Sequence, residues 1–322
     1  MMVEKSERLR RSELAVPATS TKMIAKAAAS ETDLVFLDLE DSVAVSAKAA
    51  ARANVVAGLG ELDWGGKIRA CRVNAIGSDW FYDDLHEVVG GAGRHLDLIV
   101  LPKVMTARDV WFVDDLLTHL ERRAGIEVGA IGIEVLIEEA QALLNVHSIA
   151  AASPRLEALI LGVGDLAASQ GVPGAHIGAA PSDTDSRGGD IWEYARQRVV
   201  VAARAHGLAP VDGPYADYGD TAGYARSASS FASIGGVGKW CIHPAQVPLA
   251  NKAFSPSADE VAQAEEVVSM VRRAEADGLG AVGVGGVMLD AATARIFEQT
   301  LDRARLCQEA GSRRRNTLAP AQ

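Results

Sequence analysis

Short apolar runs alternate along the chain with longer stretches whose apolar positions recur at helical spacing. The short runs lie at 12–18 (SELAVPA), 34–40 (LVFLDLE), 68–74 (IRACRVN), 97–102 (DLIVLP), 130–136 (AIGIEVL), 158–164 (ALILGVG), 209–213 (APVDG) and 238–243 (GKWCIH). Most are apolar on both faces and rich in Val, Ile and Leu, as strands of a parallel sheet read when helices cover it. Alanine-rich helical patterns fill 20–30, 46–60, 80–90, 106–124, 138–152, 192–207 and 221–235, several of them opening after Ser, Thr or Asp.

Eight strands with interleaved helices predict an α/β fold, a (β/α)8 TIM barrel. The rival is a doubly wound open sheet, but no G-x-G-x-x-G follows the first strand. The barrel is expected to occupy 1–252, and residues 253–322 a C-terminal helical extension acting as a lid or oligomer arm. Within the extension, 257–277 and 288–310 predict helices, 278–287 is glycine-rich, and 312–322 is expected to fray. The Gly-, Pro-, Ser- and Asp-rich stretch 171–190 predicts a long binding loop or lid.

Composition narrows the function. The chain has 322 residues, 48% hydrophobic, with a net charge of −10. That balance argues against nucleic-acid or anionic-membrane partners, which need a broad positive surface. Three widely spaced cysteines without C-x-x-C predict a reduced, cytoplasmic setting. No apolar stretch reaches the ~20 residues of a membrane span.

The candidate chemistry is acidic and sits at strand ends, where barrel enzymes act. Asp38 and Glu40, two apart in LDLED, are expected on one strand face, as catalytic acids or as an ion-paired strand end. Glu134 and Asp165 lie in otherwise buried runs on consecutive predicted strands. Side by side at one rim they would suit Mg2+, a hard cation that keeps several waters; Asp165 could equally cap a helix. Arg72 and Asn74 are expected on one strand face, with Arg72 stabilising an enolate or salt-bridging Asp38 or Glu40. Lys103 reads as a charge-balancing residue ahead of a Schiff base. Asp212 reads as a turn cap and His243 as structural. Arg11, Ser20, Lys22 and Lys26 form a small basic cluster near a helix start that could meet phosphates or lie solvated.

In order and spacing, RSELAVPATSTKMIAKA, VFLDLEDSVAVSAKAAAR, CRVNAIGSDW, LIVLPKV, IGIEVLIEEAQALLN, ASPRLEALILGVGDLAAS, VDGPYADY and GKWCIHPAQVPLANKAFSPS resemble the HpcH/HpaI aldolase and citrate lyase β-subunit-like family, in its malyl-CoA and citramalyl-CoA lyase branch. The match spans roughly 9–257. The resemblance implies a TIM barrel assembled as a homotrimer or homohexamer. It implies Mg2+ (or Mn2+) held by Glu134 and Asp165, catalysis by Arg72 with Asp38 and Glu40, and an acid/base Asp290 supplied by a neighbouring subunit. CoA, as part of the substrate, would be met by Arg11, Lys22 and Lys26. The implied reaction cleaves or forms a 3-hydroxy-3-carboxyacyl-CoA, giving a short acyl-CoA and a 2-keto acid. The alternatives are a citrate lyase β subunit acting on a carrier-bound citryl thioester and a CoA-independent aldolase. Two positions depart from the family pattern: Ala18 stands for a glycine, and Val287 for a lysine before the M-[IV]-D motif.

Overall fold

A computed structural model describes residues 8–173, 177–178 and 190–318, with side chains to 311. The described residues divide into 10–254 and a second unit of 8–9 and 255–318.

The first unit is a closed eight-stranded parallel barrel in sequential order. Its strands are β1 (Ser12–Pro17), β2 (Leu34–Asp38), β3 (Ile68–Arg72), β4 (Leu98–Leu101), β5 (Gly132–Ile137), β6 (Leu156–Leu161), β7 (Ala209–Asp212) and β8 (Gly238–Cys241). β8 pairs back onto β1, so no strand edge is left open. Helices α1 (Thr21–Ala28), α2 (Lys48–Glu61), α3 (Phe81–Ala92), α4 (Ala107–Ala124), α5 (Ala140–Ala150), α7 (Glu193–Ala205) and α8 (Thr221–Ser233) follow the predicted pattern. Two more lie outside the predicted helical segments: α6 (Val163–Gln170), where a helix at Asp165 is the alternative reading, and α9 (Val247–Ala253). Asp165 therefore stands in the first turn of α6 and does not end strand β6.

Side-chain alternation builds two cores. Leu34, Phe36, Leu98, Val100, Leu136, Ile160 and Trp240 fill the barrel interior. Leu37, Ile99, Val135, Leu159 and Cys241 face the helices in a larger outer core.

In the second unit α10 (Ala258–Ala276) starts with a capping box, Ser257 facing Glu260. The glycine-rich stretch is an antiparallel hairpin, β9 (Ala281–Val284) and β10 (Val287–Asp290), turning at Gly285 and Gly286 with positive φ. Helix α11 (Ala291–Leu318) starts after this hairpin and runs on through residues expected to fray. Residues 174–176 and 179–189 of the expected lid lie outside the described residues.

Asp212 is not a turn cap. It is fully buried, and its carboxylate meets the equally buried Lys239 ammonium and the Arg196 guanidinium, at 3.1 Å for Arg196. Burial pushes the Asp212 carboxyl up, but these two cations hold it below the usual range. Its folded pKa is thus below its unfolded one, so its stabilisation is present at neutral pH and lost as pH falls below about 4. Asp212→Ala strands Lys239 without its anion and should cost about 3–5 kcal/mol, read from the urea midpoint at pH 7. A loss below about 1 kcal/mol would contradict this reading.

Candidate active site

The barrel's carboxyl-terminal rim carries a cavity of about 290 Å³. Asp38, Asp41, Arg72, Glu138 and Asp165 supply its charges, and Pro17, Leu136, Ile177, Pro214, Trp240 and Ile242 its apolar wall.

Its best-anchored group is Arg72, the last residue of β3. Nε and Nη2 donate to the two oxygens of Asp38, each at 2.7 Å. Nη1 lies 2.8 Å from Glu40 Oε2. Asp38 ends β2, and its carboxylate also accepts the amides of Glu40 and Ser42. Burial pushes Asp38 up, but Arg72 outweighs it and holds the carboxyl below the usual range. Breaking such a buried bidentate pair costs several kcal/mol, so Arg72 stays paired. A guanidinium has five N–H donors, which leaves hydrogens for a ligand in the cavity. The cation also lies 5.5 Å from the Trp240 ring centre.

Glu40 is buried beside this pair, beyond the end of β2. Each of its oxygens meets a cation at 2.8 Å, Arg72 Nη1 on one side and Lys103 Nζ on the other. Burial keeps its carboxyl above the usual range despite them. Lys103 takes the charge-balancing place expected of it, with Asp41 as a further partner at 3.4 Å.

Asn74 does not share a face with Arg72, because β3 ends at Arg72. Its amide instead ties Leu39 O and Asp84 to Lys48 Nζ, which donates to the carbonyls of Leu39 and Glu40. This knot fixes the LDLED turn from behind.

Glu134 and Asp165 do not come together. Glu134 is the third residue of β5 and lies deep in the barrel, paired with Arg10, which precedes β1. Arg10 also meets Glu157 at 2.8 Å. The carboxylate that shares the cavity with Asp165 is Glu138, four residues later and just past β5. The expected strand 130–136 placed Glu134 near the rim; the observed strand runs 132–137. Both glutamates have the inward parity, and only depth separates them. The signal for Glu138 was its place at the end of the apolar run, where barrel chemistry lies.

Glu138 is 2% exposed and accepts the Lys103 amide at 2.7 Å. Gly162 gives it room: a Cβ there would stand 2.7 Å from Glu138 Oε2. Burial, with Glu40 and Asp165 repelling, pushes its carboxyl up to about 8. Neither Glu138 nor Asp165 has an ion pair among the described residues. Two unpaired carboxylates in one cavity, offering hard oxygen donors, fit a divalent cation that keeps waters and binds substrate oxygens. Among the described residues no group of three or more His, Cys, Asp and Glu forms a denser cation cage.

The expected phosphate contacts separate. Arg11 stands at the opposite, amino-terminal mouth, where both oxygens of Asp33 engage its guanidinium. Lys22 and Lys26 are exposed on α1, which leaves the rim after β1. His243 caps a short turn and stacks on Tyr218 at 4.9 Å. In the second unit Asp290 ends β10 and caps α11, accepting from the Thr293 amide at 2.9 Å. Thr293 holds its carboxyl below the usual range.

A closed α/β barrel whose rim gathers carboxylates around a fixed guanidinium defines a barrel enzyme. Residues 11–244 match the HpcH/HpaI aldolase/citrate lyase family. The chain belongs to this family and is an enzyme of the lyase class. It is 40% identical over 302 residues to an L-malyl-CoA/beta-methylmalyl-CoA lyase of Cereibacter sphaeroides, covering 92% of this chain and 95% of that one. It is 35% identical to a malyl-CoA/beta-methylmalyl-CoA/citramalyl-CoA lyase of Chloroflexus aurantiacus, over 86% of this chain and 82% of that one. The CitE protein of Mycobacterium tuberculosis, solved in complex with magnesium, acetoacetate and coenzyme A, superposes with a TM-score of 0.73 at 30% identity, over 91% of this chain and 97% of that one. No helix of the described residues is long and apolar enough to cross a membrane.

The raised Glu138 pKa sets a sign for the metal-free protein. The folded state holds this proton more tightly than the unfolded chain, so the stability it brings is full below about pH 4.3 and is lost as pH rises through about 8. With chelator present, Glu138→Gln should be more stable than the parent at pH 8, and the gap should narrow at pH 5. Parallel urea curves at both pH values check this; a variant less stable at pH 8 would contradict it.

Proposed function

We propose that the chain is a Mg2+-dependent lyase that cleaves, or forms, a 3-hydroxy-3-carboxyacyl-CoA of the malyl-CoA or citramalyl-CoA kind. The products are a short acyl-CoA and a 2-keto acid such as glyoxylate or pyruvate. The observation that carries this is the shared cavity of Glu138, Asp165 and Arg72 in a chain so similar to malyl-CoA lyases.

The bond to break joins the hydroxyl-bearing carbon to the carbon next to the thioester. The hydroxyl must lose a proton, the electron pair passes to the thioester as an enolate, and that carbon then takes up a proton. Glu138 and Asp165 would hold the cation, which when bound supplies Lewis-acid polarisation of the hydroxyl and carboxylate oxygens. Arg72, fixed by Asp38 and Glu40, turns its spare N–H groups toward the developing oxyanion. Such preorganised donors act strongly because they need no reorganisation during the reaction. Asp290, contributed by another copy in a homotrimer or homohexamer, moves the proton at the carbon. Lys22 and Lys26 meet the CoA phosphates at the mouth. The apolar wall, with Trp240, Ile242 and Pro214, holds the short acyl chain.

The test is acetyl-CoA or propionyl-CoA release by the pure protein with Mg2+. Chelator should abolish it, and added Mg2+ should restore it. Arg72→Lys should lower kcat by about 10²–10³. No turnover of any 3-hydroxy-3-carboxyacyl-CoA with Mg2+ would overturn the proposal, and cleavage confined to a carrier-bound citryl thioester would move it to the citrate lyase reading.

A further inference from the structure

Lys103 is the one non-glycine residue among those described with a left-handed backbone, at φ 52°. Residues with a Cβ avoid that region, so a single such residue at a site calls for a reason. Lys103 follows Pro102 just beyond β4. Its amide donates to Glu138 Oε1 at 2.7 Å. Its ammonium lies 2.8 Å from Glu40 Oε1 and 3.4 Å from Asp41 Oδ1. One residue thus grips both acidic groups of the rim, through main chain on one side and side chain on the other. It does not line the cavity itself.

We propose that Lys103 is a positioning residue that bridges the two carboxylate groups, fixing Glu138 with its amide while its ammonium keeps Glu40 on Arg72 and turned from Glu138 and Asp165. The part concerning the cation rests on the Mg2+ reading above. Glu40, Asp41, Glu138 and Asp165 are the charged groups that face this lysine. Without the ammonium, Glu40 keeps only Arg72 and the rim carries one more uncompensated negative charge. That change draws a divalent cation in and pushes an anionic keto acid away.

Lys103→Met removes the charge. Lys103→Gly removes the charge and also suits the left-handed backbone. Lys103→Arg keeps the charge. Mn2+ binding, followed by the loss of the free-ion EPR signal, should tighten about three- to tenfold in the Met and Gly variants. Pyruvate or glyoxylate affinity in the presence of Mn2+ should weaken by a similar factor, and Arg should restore both. A merely structural lysine would weaken both together or change neither, and either result overturns the proposal.

The bridge is also read without metal. In chelator, the urea midpoints of Lys103→Met, Glu40→Gln and the double variant should be non-additive, the double losing no more than the larger single. Additive losses overturn the bridge. If the parent binds no Mn2+ while the cycle is non-additive, the metal reading has failed and the Lys103–Glu40 bridge stands.

Discussion

Carboxylates of one sign can crowd a barrel rim only when cations stand between them. Here Asp38 and Glu40 are tied to Arg72, and Glu40 and Asp41 to Lys103. Glu138 and Asp165 are left in the same cavity without an ion pair among the described residues. Burial, with the charges of Glu40 and Asp165 nearby, pushes the Glu138 carboxyl up. The rest of the site answers this imbalance with a guanidinium held by Asp38 and Glu40 and a lysine joining Glu40 to Asp41, and it leaves the acidic pair that the proposed function gives to a divalent ion.

The barrel makes such a rim affordable to build because its stability comes from elsewhere. Phe36 and Trp240 pack at a tilt of 39° with ring centres 4.4 Å apart in the interior, and Trp240 Nε1 donates to the buried Glu13 at 2.9 Å. Below that layer Arg10 gathers Glu134 and Glu157. Charge is thus placed at two depths. In the lower set Glu134 and Glu157 meet one arginine from the amino-terminal mouth with Glu13 close by, and the upper set faces the cavity.

Much of this was legible in the residues. Apolar runs on both faces announced a parallel barrel, and LDLED, CRVN and LPKV marked the strand ends that carry Asp38, Arg72 and Lys103. Depth was not legible. IGIEVLIEE holds two inward glutamates four apart, and which one reaches the rim depends on where β5 starts against its neighbours. For the same reason Asp165 read as a strand end when the chain had already turned into α6. Arg11 read as a rim cation, although a residue before β1 can only stand at the opposite mouth. Asp212 sat before Gly-Pro and looked like a turn residue, but its partners Lys239 and Arg196 come from distant elements that no local pattern reveals. The β9–β10 hairpin hid in a glycine-rich stretch that reads equally well as a linker.

On the proposed function Glu138, not Glu134, joins Asp165 in holding a divalent cation. Calorimetric titration of Mg2+ into the parent, Glu138→Gln, Asp165→Asn and Glu134→Gln proteins addresses it most directly. Heat of binding should disappear in the Glu138 and Asp165 variants and persist in any folded Glu134 variant. Binding retained by Glu138→Gln and lost by a folded Glu134→Gln would contradict it.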